Sequence, residues 1–170
     1  MPHVLQVRKL RLVGAIVAAS AAGAAAAGAS TPPFTVFAKA GPARTSGTAT
    51  LEHVRVARHP GFDRVVFEFS GETPAWSAGY VPRIVKDPSG QIATVAGRAF
   101  LHVVFHATLV DRSATGAPIV RTPRFPMLVQ VEEAGDFEGV VSFGVGVRRR
   151  TGFRAFHLSS PGRIVLDLAR

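Results

Sequence analysis

The 170-residue chain carries 20 Lys and Arg against 11 Asp and Glu, a formal net charge of +9, and no cysteine. That length suggests one domain, and the charge points toward an acidic partner or surface. Without cysteine there is neither a disulfide framework nor lipid attachment at a cysteine, so stability is expected to come from a hydrophobic core.

Residues 1–29 open with the basic stretch "MPHVLQVRKLR", continue with the apolar "LVGAIVAASAAGAAAAGA", and place the small residues Ala27, Gly28 and Ala29 before Ser30. This order predicts a secretory signal peptide cleaved before Ser30. An uncleaved membrane anchor is the alternative, because no charge appears between Leu12 and Ala38 and the stretch is long enough to span. Its Ala and Gly content and the break at Pro32-Pro33 favour cleavage. Arg8, Lys9 and Arg11 lie in this segment without an acid, so residues 30–170 keep a charge of +6. An exported chain of this size without disulfides reads as a bacterial envelope protein, secreted or envelope-associated.

Residues 30–50, "STPPFTVFAKAGPARTSGTAT", are rich in Pro, Ala, Gly, Ser and Thr and predict a flexible tether, with an ordered first strand on "FTVFA" as the other reading. From Leu51 to Arg170 the apolar period is close to two. "LEHVRVARH" and "FDRVVFEF" read as strands joined by a type II turn at Pro60-Gly61, the second with Val65, Phe67 and Phe69 on one face. "WSAGYVPRIV" and "QIATVAG" predict a hairpin closed by a type I turn at "DPSG", and "AFLHVVFHATL" a long third strand. "VDRSATGAP" and "RTPRFP" are expected as loops. Four closing strands, "MLVQVEE", "EGVVSFGVGV", "FRAFHL" and "RIVLDLA", are separated by turns at "AGDF", "RRRTG" and "SSPG". Eight or nine short strands with this punctuation predict an all-β fold, an antiparallel β-sandwich over 51–170.

"HPGFDRVVFEFSGETPAW" with the following "GYV", "GDFEGVVSFGVGV" with "FRAFHL", and the closing "PGRIVLDL" resemble the AMIN-like domain of secreted bacterial proteins, a relative of the AMIN domain of envelope amidases and secretins. The resemblance implies an all-β sandwich and a role in attachment to the cell envelope, with peptidoglycan binding known for classical AMIN domains. It transfers no active site.

The residues themselves offer little catalysis. His102 and His106 lie four apart in "LHVVFHA", which on a strand separates them by about 13 Å, too far to share a metal ion. Ser142 or Ser159 with His157 and Asp167 makes a triad only on paper, since no Gly-x-Ser-x-Gly context is present. No catalytic residue, metal ligand or cofactor is therefore expected. Candidate ligand contacts are the run Arg148-Arg149-Arg150, whose forked donors suit phosphate or carboxylate, the aromatics Trp76 and Tyr80 as flat surfaces for sugar rings, and Arg64. A solvated hairpin tip for the arginines and core packing for the aromatics are the plainer readings. Structural charged pairs are expected among Asp63, Arg64, Glu68, Arg163 and Asp167: if "FDRVVFEF" and "RIVLDLA" are antiparallel neighbours, Arg64 faces Asp167 and Glu68 faces Arg163. Exchanging Arg64 and Asp167 is then expected to restore most of the stability that either single change removes.

The function expected is a non-catalytic exported module that binds anionic wall polymer or peptidoglycan. Protein recognition through an exposed sheet edge is the alternative, a small hydrolase the remote one. Nucleic acid is not expected as a partner, and a membrane only if the signal is retained.

Overall fold

The computed structural model describes residues 31–113 and 119–170. The predicted signal peptide and its cleavage point lie outside the described residues. Residues from Thr31 onward form one compact unit of two stacked sheets, a β-sandwich as the alternating pattern predicts. In chain order the strands are β1 (Lys39–Gly41), β2 (Ala49–His59), β3 (Phe62–Ser70), β4 (Trp76–Val81), β5 (Ala99–Phe105), β6 (Thr108–Val110), β7 (Ile119–Arg121), β8 (Leu128–Phe137), β9 (Val140–Val147), β10 (Phe153–Leu158) and β11 (Gly162–Ala169). One sheet runs β1-β4-β5-β9-β8-β7, the other β10-β11-β3-β2-β6. Among the described residues there are eleven strands where eight or nine are expected over 51–170, because β1 lies before that range and β1, β6 and β7 have three residues each, too short for a period to register.

The core lies where the inner faces meet. Phe67 and Phe69 of β3 pack edge-on against Phe105 of β5, and Phe67 also meets Phe143 of β9, with ring centroids 5.0–5.2 Å apart. The β2–β3 hairpin turns at Pro60-Gly61, where Gly61 has φ +84°, the value a type II turn requires at its third position.

Several local expectations are corrected. The segment expected as a tether joins the domain: Thr35 exchanges both backbone hydrogen bonds with Phe153, and β1 pairs with β4. Close apposition holds it, since a Cβ on Gly41 would stand 2.5 Å from Trp76 Nε1. The strand expected over "AFLHVVFHATL" breaks at 106–107, where Ala107 takes φ +48°. There the chain crosses from one sheet to the other, and β6 pairs parallel with β2, the sole parallel pairing between named strands. "AGDF" is no turn; β8 runs through it to Phe137, and Glu138 and Gly139, at φ +49° and +75°, turn the chain three residues later. "WSAGYVPRIV" and "QIATVAG" do not form one long hairpin, because β4 pairs with β5 instead.

Residues 82–98 form a strap over the outer face of the six-stranded sheet, closed on itself by the Val85–Ile92 bridge and held to the sheet by Asp87 N–H donating to Ala134 O and by Ile84, Ala93 and Val95 packed against Ala134. The strap comes so close to β9 that a Cβ on Gly146 would lie 1.9 Å from the Ala96 carbonyl oxygen. One sheet is thus covered on its outside, and the fold brings the strap's end, Arg98, beside the end of β9.

Candidate functional site: an arginine-lined end of the sandwich

Arg98, Arg148 and Arg150 line two clefts that share Arg98. The first, about 430 Å³, is bounded by Gly97, Arg98, Val129 and Arg148. The second, about 400 Å³, is bounded by Tyr80, Val81, Pro82, Arg98, Phe100 and Arg150. Both open where β4, β8 and β9 meet the β9–β10 connection, an end of the six-stranded sheet set by the pairing of Ala99 and Leu128 with Val147.

Local bonding places each guanidinium. Arg98 follows Gly97, whose φ of +147° and contact with the Val147 backbone leave no room for a Cβ, and Arg98 N–H donates to Val147 O at 2.8 Å. Arg148 donates from Nε to Phe125 O at 3.2 Å and from Nη2 to Pro123 O at 2.9 Å. Arg150 lies 4.8 Å over the Tyr80 ring. Tyr80 is half-buried; its hydroxyl donates to Thr151 O at 2.9 Å and accepts from Thr151 N–H at 3.0 Å, and burial pushes its phenol up. These positioning groups are carbonyls and a ring rather than carboxylates. Among the described residues no carboxylate lies within 4.0 Å of Arg98, Arg148, Arg149 or Arg150, so their charge stays uncompensated at the protein surface. Arrayed forked donors with that property can hold phosphate or carboxylate oxygens.

The other sequence candidates are placed elsewhere. Trp76 is only 6% exposed and stacks on Gly41 inside the core, so it presents no platform to a sugar; on its strand it shares the inward face with Tyr80. Arg64 is engaged by Asp167 at 2.6 and 2.9 Å and is not a free ligand contact. The antiparallel register expected for the charged pairs is present, with Arg64 opposite Asp167 and Glu68 opposite Arg163. Only the first forms an ion pair. Glu68 accepts instead from Arg55 at 3.2 Å, and Arg163 Nε donates to its neighbour Pro161 O. Asp63 faces the core rather than a partner on the surface: Met127 and Leu128 N–H donate to its Oδ2 at 2.6 and 2.9 Å, and Arg170 stands 3.1 Å from Oδ1, so this carboxylate ties one sheet to the other.

Sequence reasoning missed Arg98. It sits alone in "AGRAF", and only the strap's return to β9 puts it between Arg148 and Arg150. The Gly97-Arg98 step before an alternating strand was the one local signal.

The family model of the AMIN-like domain matches residues 49–170. The chain belongs to the AMIN-like family. AMIN-like domains are generally non-catalytic binding modules of the bacterial cell envelope, typically extracytoplasmic. Comparison with curated proteins and with solved structures returns no match. The AMIN-like match begins at the first residue of β2, and β1, which lies before it, pairs along the edge of β4.

Proposed function

We propose that this AMIN-like domain is a non-catalytic exported envelope module that holds an anionic wall polymer, a glycan bearing phosphate or carboxylate groups, in the two clefts around Arg98. The observation that carries the reading is the set of three guanidiniums, each positioned without a carboxylate partner, lining adjoining clefts. Arg148 shares one cleft with Arg98 and Arg150 shares the other, so a polymer with repeated anionic groups can be gripped in more than one place. Tyr80 adds an apolar wall to the second cleft, suited to the ring of a sugar.

The edge-recognition alternative has less to stand on. The edge strands β1, β6 and β7 have three residues each, and β10, with six, is already bridged at Phe153 by Thr35.

Co-sedimentation with purified cell wall tests the proposal. Retention at low salt that weakens as salt rises, and that falls when Arg98, Arg148 and Arg150 are changed to Ser, is the expected outcome. Retention that is indifferent to both salt and these substitutions refutes it.

A further inference from the structure

Beside the β9–β10 hairpin the chain presents an apolar bend that neither cleft uses. Val36 is 40% exposed and Phe37 75%. The bend is fixed rather than frayed. Lys39 Nζ donates to Thr35 Oγ1 at 2.6 Å and to Phe37 O at 2.5 Å, and lies 4.4 Å over the Phe153 ring. Thr35 is bonded in both directions to Phe153, at 3.0 and 2.8 Å. Four hydrogen bonds and a cation–ring contact thus hold a phenylalanine out into solvent, where it gains nothing for the fold.

Its neighbours say what would cover it. The Thr35–Phe153 bridge and the approach of Phe34 to Gly152 set the bend against the hairpin that carries Arg149. Arg149 is exposed, lines neither cleft, and has no carboxylate within 4.0 Å among the described residues. An exposed aromatic beside a hairpin that carries an uncompensated cation is the pairing that a bilayer interface with anionic headgroups rewards, because neither term alone gives stable attachment. We infer that this end of the domain docks on an anionic lipid surface, with Phe37 and Val36 in the interface and Arg149 against headgroup phosphates. The polymer clefts lie beside this contact and use different residues.

The test uses the full chain with Phe37→Trp, mixed with vesicles containing phosphatidylglycerol, and follows indole emission and its quenching by brominated acyl chains. Ile92→Trp, 61% exposed on the strap, serves as the comparison site, and buried Trp76 gives both variants the same background. The expected result is a blue shift and quenching for Phe37→Trp, little change for Ile92→Trp, and a several-fold weaker response with pure phosphatidylcholine. Phe37→Ser is expected to weaken vesicle affinity roughly tenfold while leaving the unfolding midpoint in place. Three results would overturn the inference: no vesicle response at position 37; equal quenching at both positions, which means indiscriminate adsorption; or a shift without vesicles that grows with protein concentration, which means a second copy covers the bend. Loss of lipid docking with cell-wall retention intact would leave the polymer site standing.

Discussion

Asp167 has no exposed surface, and two guanidiniums share it: Arg64 from β3 through both oxygens, and Arg154 from β10 at 2.8 Å. Phe34 and Phe62 lie under these cations, with Arg154 4.4 Å from the Phe34 centroid and Arg64 5.2 Å from that of Phe62. Removing the carboxylate strands two partly buried charges, so Asp167→Ala should cost about 3–5 kcal/mol in urea unfolding. The exchange of Arg64 with Asp167, expected from the sequence to be restorative, should instead recover little, because an arginine at 167 would face Arg154; near-complete recovery would contradict this geometry. The register between these strands was readable because its charges alternate in opposed order along β3 and β11. The third member was not, since Arg154 reaches the pair from a strand whose position depends on the whole sheet. A pH effect belongs at this scale too. His102 is held below its ordinary value of 6.5, chiefly by burial, with Asp87 opposing. The unfolded chain therefore binds this proton more readily, and stability present above pH 6.5 is lost as pH falls below it. His102→Gln should flatten that part of the urea-midpoint profile measured between pH 7.5 and 5; an unchanged profile would remove His102 as its source.

At the scale of elements, glycines on β9 decide whether the strap can lie down. Gly144 and Gly146 face Ile84, Val95 and Ala96 at distances that exclude a side chain. Gly146→Ala should lift residues 82–98, raising the rate of limited proteolysis within the strap while the sandwich core stays protected; an unchanged cleavage rate would mean that the strap is held elsewhere. Because Arg98 ends the strap, the same variant should weaken wall retention without touching any arginine. Tyr80→Phe removes both bonds to Thr151 and should cost about 1 kcal/mol in unfolding while loosening the tip that carries Arg150. Strands were legible in the sequence wherever one face is buried, as in "FDRVVFEF", because alternation records that burial. The strap was not, since it is short apolar contacts and close backbone approaches with no period of their own. The Glu138-Gly139 turn escaped for a different reason: glycine and aspartate at 135 and 136 look like a turn, but here they continue β8 through an irregularity in its pairing with β9.

For the whole molecule, the excess of arginine matters through where it is left unneutralised. Arg64, Arg112, Arg154 and Arg170 are engaged by carboxylates, whereas Arg98, Arg148 and Arg150 are not and share one end of the sandwich. The run "RRR" announced part of that end in the sequence; the strap had to fold back to complete it. If the clefts form the site, location must count for more than net charge. The most direct test compares binding of purified wall polymer by two variants that each lose three positive charges: Arg98→Ser with Arg148→Ser and Arg150→Ser, against Arg44→Ser with Arg121→Ser and Arg163→Ser. The account predicts a loss of tenfold or more, about 1.4 kcal/mol, for the cleft variant at moderate salt, and only a small change for the other. Equal losses for the two variants would show that the polymer responds to overall charge, and the clefts would cease to be the binding site.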